Sequence, residues 1–123
     1  MKNTIIYSCT SINACAWKCR HGQIGQSIAK SMDKDNFGQL LKIDNVSIQQ
    51  AHIDGNPVVA IDGCTQGCAL SAINAHQFQP KFYINLSNFD AEIVDNWGTS
   101  LLDNFVLLKT IYQSLDEQGF SFQ

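Results

Sequence analysis

The sequence predicts an α/β fold: a three-layer αβα arrangement with a mostly parallel four-stranded sheet. Short apolar runs of strand length alternate along the chain with longer segments of helical periodicity. Such alternation favours parallel pairing, because a crossover helix returns the chain to the same edge of the sheet. The length of 123 residues is typical of one domain, which we expect to span residues 1–123 with a normal hydrophobic core.

The four predicted strands comprise residues 4–8, 40–43, 58–61 and 82–86. Four strands in this alternation most easily form a doubly wound sheet of order 2-1-3-4. In that order strands 1 and 3 are neighbours, and the chain changes direction between them. Their carboxyl ends then flank the crevice in which open α/β sheets bind ligands.

Three helices are predicted between and after these strands. The first begins near Gly22, after a polar loop that carries cysteines, and the others cover residues 45–52 and 69–77. The apolar stripes expected to face the sheet are Ile24, Ile28 and Met32 in the first helix, Val46, Ile48 and Ile53 in the second, and Leu70 and Ile73 in the third.

The last predicted helix follows the fourth strand. Ser100 is a suitable N-cap, Asp103 completes a partial capping box three residues later, and Gly119 ends the helix. Its predicted buried stripe, with spacings of three and four, is Leu101, Phe105, Leu108, Tyr112 and Leu115.

Composition excludes several classes of function. The net charge of -3 and the pI near 5.4 argue against a general nucleic-acid or anionic-membrane surface. No apolar run approaches the roughly 20 residues of a membrane span, and the amino terminus lacks the features of a signal peptide. We therefore expect a cytoplasmic protein that binds neither nucleic acid nor membrane. The motifs of phosphate loops, dinucleotide-binding turns and serine-hydrolase elbows are absent.

The cysteines are the residues most suggestive of function. Cys64 and Cys68 follow the third strand, Cys9 follows the first, and Cys15 and Cys19 form a second pair with the same spacing. The predicted strand order would bring these groups together at one edge of the sheet. In a reducing compartment, clustered cysteines are more often metal ligands or redox thiols than disulfides. Thiolates favour zinc or an iron–sulfur cluster, although small cysteines also simply pack in cores.

Two segments resemble a known family. Residues 61–69, Ile-Asp-Gly-Cys-Thr-Gln-Gly-Cys-Ala, resemble the Asp-Gly-Cys-x3-Cys-Ala signature of the DGC-domain family. Residues 7–11, Tyr-Ser-Cys-Thr-Ser, resemble that family's opening Tyr-x-Cys-Ser-Gly segment. Members are small cytosolic proteins called zinc-binding because of their cysteines, and no reaction is established for them. The resemblance implies Cys9, Cys64 and Cys68 as metal ligands.

The sequence departs from the family pattern in three ways. Ser11 replaces a usual glycine, residues 12–21 resemble an insertion, and residues 71–75 lack a cysteine common after the second motif. The fourth ligand would then be Cys15 or Cys19 from the insertion. His21 is an alternative ligand, although an exposed loop histidine is the simpler interpretation.

Several hypotheses about function therefore stay open. Four cysteine ligands would make a structural, storage or sensing zinc site, and three would leave an open position for Lewis-acid or hydrolytic chemistry. The alternatives are a thiol redox or sulfur-handling protein using Cys9, Cys64 and Cys68, an iron–sulfur protein, or a pure interaction module. The sequence identifies the metal ion as a partner but no protein partner. Phe120 and Phe122 suggest packing on a second copy in a homo-oligomer.

Overall fold

The computed structural model describes residues 3–8 and 20–121. The strands are β1 (Ile5–Ser8), β2 (Gln39–Leu40), β3 (Val58–Asp62) and β4 (Phe82–Asn85). The helices are α1 (Arg20–Lys34), α2 (Asn45–Asp54), α3 (Cys68–Asn74), α4 (Ala91–Asp95) and α5 (Leu101–Glu117).

The sheet confirms the predicted α/β fold class and strand order. Its four strands are all parallel and lie in the order β2-β1-β3-β4. Ser8 pairs with Ile61, and Asp62 pairs with Asn85, so β1, β3 and β4 end at nearly the same level. The carboxyl ends of these three strands therefore form one continuous edge.

Successive strand residues face two separate cores, as a sheet covered on both sides requires. Ile6, Val59 and Ile61 pack with α1, α4 and α5 on one face. Tyr7 and Ala60 pack with α2 and α3 on the other. The result is the predicted three-layer arrangement, in which every residue of β1 and β3 is buried.

Helix α1 begins earlier than predicted. Its buried residues include the expected Ile24, Ile28 and Met32, but the helix already starts at Arg20, where a loop was predicted. The side chains of Arg20 and His21 both contact Asp95 of α4. This tertiary contact secures a first turn that has no acidic residue or Pro of its own to mark it.

The predicted inward face of α2 is largely wrong. Ile48 is buried as expected, but the side chains of Val46 and Ile53 are 78% and 75% exposed. The buried stripe consists of Ile48 and Ala51. Val46 precedes Ile48 by two residues, and Ile53 follows Ala51 by two, which rotates each by about 200° around the helix axis.

The termini of α5 match the prediction. Ser100 Oγ accepts a hydrogen bond from the Asp103 N–H at 3.1 Å and donates one to Asp103 Oδ2 at 2.9 Å. The helix ends at Glu117, and Gly119 follows with a φ of 94°. A positive φ at this position costs glycine little, because glycine has no Cβ.

The buried face of α5 differs from the predicted one. Of the predicted stripe only Leu115 is fully buried; Leu101 and Phe105 are exposed, and Leu108 and Tyr112 are half-buried. The fully buried residues are Leu107, Ile111 and Leu115, and Leu108 and Tyr112 pack against the edge of the same core. The reason is that apolar residues occupy more than one face of this helix, so their spacing alone does not select the buried face.

The remaining elements differ modestly from the predicted ones. Strand β2 is shorter than predicted, and α3 ends at Asn74 with Ile73 buried and Leu70 half-buried. A 3-10 turn at Leu86–Asn88 and helix α4 were not predicted. No helix in the described part of the chain is both long and apolar enough to cross a membrane.

The carboxyl-terminal segment folds back onto its own chain. Phe120 is buried, and its ring centroid lies 5.0 Å from those of Phe37 and Phe82. This contradicts the expectation that Phe120 packs on a second copy. Phe122 lies outside the described residues.

Candidate functional site at the carboxyl edge of the sheet

Residues 63–68 connect β3 to α3, and we call this segment the cysteine turn. It contains Cys64 and, as the first residue of α3, Cys68. Both side chains are half-buried. The Gly67 N–H donates to the Cys64 carbonyl at 3.2 Å, and Gly67 has a φ of 59°, which closes the turn in a left-handed conformation. The two cysteines thus lie in one tight turn at the end of β3, as the sequence predicted.

The Asp62 carboxylate holds the end of this turn through hydrogen bonds to the first residues of α3. Its side chain is buried, and Oδ1 accepts from the Ala69 N–H at 2.7 Å, while Oδ2 accepts from the Leu70 N–H at 3.0 Å. The Gly67 N-cap makes no side-chain capping bond. Asp62 therefore takes over the cap of α3, with its negative charge at the positive end of the helix.

Two side chains from β4 extend this hydrogen-bonded network. The Tyr83 hydroxyl donates to Asp62 Oδ2 at 2.8 Å. Asn85 Nδ2 donates to the Cys64 carbonyl at 2.9 Å and to the Tyr83 hydroxyl oxygen at 3.1 Å. Burial, followed by the hydrogen bond to Asp62, raises the pKa of Tyr83 well above its ordinary value, so the phenol stays protonated.

Neither Tyr83 nor Asn85 was singled out from the sequence. The available signal is that both are polar residues in a strand, two positions apart and therefore on one face. The parallel register pairs Asn85 with Asp62, which brings that face of β4 beside the cysteine turn. Without the strand pairing, nothing distinguishes these residues from ordinary solvent-facing positions.

The first turn of α1 forms the opposite wall of the site. A Cβ atom on Gly63 would lie 1.9 Å from the His21 carbonyl oxygen, so only glycine allows this approach. The His21 ring contacts Asp95, with Nε2 3.0 Å from Oδ1. This interaction, and secondarily the Arg20 guanidinium at 3.0 Å, lowers the pKa of the partly exposed Asp95 carboxyl.

A pocket of about 310 Å³ lies between these walls. Cys64 and His21 line it, and Leu86, Phe89 and Val94 contribute apolar surface. Cys64 therefore borders a space that a small molecule could enter, at the edge where sheets of this topology bind ligands.

The described residues contain part of the predicted metal site. Cys64 and Cys68 are at the expected edge, whereas Cys9, Cys15 and Cys19 lie outside the described residues, so their convergence stays a prediction. Within residues 3–8 and 20–121, no group of three or more His, Cys, Asp or Glu side chains is arranged to hold a metal ion. Ser8, which precedes Cys9, has a buried Oγ without a hydrogen-bond partner among the described residues.

These features define a parallel α/β domain with a cysteine-bearing turn at the carboxyl edge of its sheet. The chain matches the family model of the DGC domain over residues 11–101 and belongs to that family. The matched span includes Cys15, Cys19, Cys64 and Cys68 and begins after Cys9. No curated protein and no solved structure matched the chain.

Proposed function

We propose that this protein binds one zinc ion at the carboxyl edge of the sheet. The ligands are Cys64 and Cys68 of the cysteine turn, Cys9, and either Cys15 or Cys19. The observation that carries the proposal is the contact between Gly63 and the His21 carbonyl, because it brings the start of α1 against the cysteine turn.

Chain connectivity supports the contribution of the other cysteines. Cys9 is bonded to Ser8, whose partner Ile61 lies one residue before Asp62. Cys19 is bonded to Arg20, the neighbour of His21. Both ends of the segment 9–19 are thus tied to the carboxyl edge that carries Cys64 and Cys68.

The chemistry of the donors also supports zinc. Thiolates are soft ligands that favour zinc over magnesium or calcium. Asp62 is not a competing ligand, because its two oxygens accept three hydrogen bonds from Ala69, Leu70 and Tyr83. When bound, zinc would stabilise the fold if four thiolates close the site, or supply Lewis-acid chemistry if one position stays open.

Elemental analysis of anaerobically purified protein, with a thiol count on the same sample, tests this proposal. We expect about one zinc per chain, with three or four thiols protected until a chelator is added. Cys64→Ser and Cys68→Ser should each lose the metal, whereas Thr65→Ser, in the same turn, should retain it. The zinc content of the single variants Cys9→Ser, Cys15→Ser and Cys19→Ser then shows which of these cysteines are the remaining ligands. Protein without metal and with five reactive thiols would contradict the proposal, and a brown, oxygen-sensitive sample would indicate an iron–sulfur cluster instead.

A thiol redox function is the second candidate, and the pocket beside Cys64 favours it. That pocket gives a small oxidant or persulfide access to the Cys64 side of the turn. Oxidation would join Cys64 to Cys9 or Cys68 in a disulfide while peroxide takes up the two electrons and is reduced to water. This function predicts an intramolecular disulfide after mild peroxide treatment and no stoichiometric metal. A reducing compartment such as the cytoplasm would suit either function, since both require reduced thiols.

A further inference from the structure

We propose that Tyr83 is a positioning residue that fixes the conformation of the cysteine turn through Asp62 and Asn85. Where it concerns metal affinity, this inference rests on the proposed zinc-binding function. Where it concerns the two thiols themselves, it stands on the hydrogen bonds alone. The Tyr83 hydroxyl forms hydrogen bonds with Asp62 and Asn85, and each of these two partners leads to one of the cysteines.

The first path leads from Tyr83 to Cys68. The Tyr83 hydroxyl donates to Asp62 Oδ2, and Asp62 accepts the N–H groups of Ala69 and Leu70, the two residues after Cys68. The phenol also lies against Gly67, where an added Cβ would be 3.4 Å from the hydroxyl oxygen. The start of α3, including Cys68, is therefore held between Asp62 and Tyr83.

The second path leads from Tyr83 to Cys64. Asn85 Nδ2 donates both to the Tyr83 hydroxyl oxygen and to the Cys64 carbonyl. The amide orientation is fixed at its other end, because Asn85 Oδ1 accepts from the Ser87 N–H at 2.9 Å and from Ser87 Oγ at 2.6 Å. The Tyr83 hydroxyl thus completes a chain of hydrogen bonds that begins at Ser87 and reaches the Cys64 carbonyl and the N–H groups of the two residues after Cys68.

The Tyr83 hydroxyl can donate one hydrogen bond and can also accept one, and it does both here. It donates to the buried carboxylate and accepts from the amide, so phenylalanine at this position would leave both partners one bond short. Supporting groups of this kind orient metal ligands, and their loss typically weakens metal binding about 10–100-fold. Removing the hydroxyl should therefore loosen the turn without removing any sulfur ligand.

Tyr83→Phe and the matched control Tyr112→Phe test the inference. Tyr112 is a half-buried tyrosine of α5 that packs on Phe37, just before β2 and hence at the opposite edge of the sheet. In metal-free protein, we expect iodoacetamide to alkylate Cys64 and Cys68 at least about fivefold faster in Tyr83→Phe than in wild type, because one hydrogen bond is worth about that factor and two are lost. Tyr112→Phe should match wild type. Peptide mass spectrometry measures the alkylation rates of Cys64 and Cys68 separately.

Metal affinity gives an independent measurement. With zinc and a competing chelator, Tyr83→Phe should keep the wild-type stoichiometry but bind about 10–100-fold more weakly. If Tyr83→Phe does not fold, Asn85→Ala serves as the second variant. We expect Asn85→Ala to accelerate alkylation of Cys64 more than that of Cys68, because Asn85 donates to the Cys64 carbonyl. Wild-type protein that binds no zinc would refute the proposed function, and the alkylation rates would still decide the role of Tyr83. Alkylation rates in Tyr83→Phe equal to those in Tyr112→Phe would overturn the inference.

Discussion

Gly63 and His21 are in direct backbone contact: a Cβ atom on Gly63 would lie 1.9 Å from the His21 carbonyl oxygen and 2.6 Å from the Gly22 nitrogen. This contact joins the turn that follows β3 to the first turn of α1, two segments more than 40 positions apart in the sequence. Both atoms belong to the backbone, so a side chain at position 63 cannot be accommodated by a rotamer change. The contact is therefore a sensitive probe of the whole site.

Gly63→Ala should destabilise the protein by about 3 kcal/mol, because the added methyl group forces α1 away from the cysteine turn. The control is Gly25→Ala, at which the new Cβ would meet the Gly63 nitrogen at an ordinary 3.5 Å. Alanine is the better helix former, so Gly25→Ala should be neutral or gain up to about 1 kcal/mol. Urea unfolding measures both variants. Equal stability of Gly63→Ala and wild type would show that the two segments are not in contact.

Asp62→Asn should cost about 2–3 kcal/mol of unfolding free energy. An amide has a single oxygen, so its NH2 group would face donors that now point at a carboxylate oxygen: either the Ala69 N–H, or both the Leu70 N–H and the Tyr83 hydroxyl. Asp44→Asn is the matched control, since Asp44 is an exposed N-cap that accepts from Ser47 N–H and asparagine caps helices equally well. We expect that control to stay within about 0.5 kcal/mol of wild type. Similar losses in the two variants would argue against a special role for the buried carboxylate.

Asp95 should contribute stability that depends on pH. Its pKa is lower in the folded protein than the ordinary value of 3.8, through the His21 hydrogen bond first and the Arg20 charge. A depressed carboxyl pKa contributes stability that is present above the unfolded pKa and is lost as the pH falls through the folded one. The difference in unfolding midpoint between wild type and Asp95→Asn should therefore be present at pH 7 and shrink below about pH 4. It should also shrink in 1 M salt, because the pair is exposed. An NMR titration that places the Asp95 pKa at or above its ordinary value would contradict this.

The two apolar faces of α5 should respond differently to truncation. Ile111→Ala, in the core, should lose about 2–5 kcal/mol of stability. Phe105→Ala removes a larger side chain, but one that is 63% exposed, and should cost no more than about 0.5 kcal/mol. Thermal or urea unfolding of the two variants decides between the faces. A larger loss of stability in Phe105→Ala than in Ile111→Ala would support the buried face that was predicted from the sequence.

For α5 the sequence predicts where the helix begins and ends, but not which face is buried. Its N-cap at Ser100 and its end near Gly119 follow from local chemistry, and both were predicted. Its orientation depends on which of two apolar stripes meets the sheet. That choice is made by shape complementarity with the sheet and the neighbouring helix, which no spacing rule within the helix contains.

Asp62 illustrates the same limit within the site. In the sequence Asp62 and Gly63 follow a strand, where Asp-Gly is ordinary turn chemistry and marks no further role. The structure gives Asp62 three hydrogen bonds, with helix N–H groups seven and eight positions ahead and with a tyrosine of the next strand. Such partners meet only after the cysteine turn has closed and β4 has paired with β3.

The sequence alone determined the parallel α/β class, the order of the strands, the family and the location of Cys64 and Cys68 at the end of β3, because these depend on local periodicity, turn residues and the handedness of crossovers. The tertiary structure alone decided which helix faces are buried and which side chains support the cysteine turn. Strand register brings Tyr83 and Asn85 to Asp62, and helix packing brings His21 to Gly63. These are contacts between segments distant in the chain, and their free energy depends on three-dimensional fit that residue spacing does not encode.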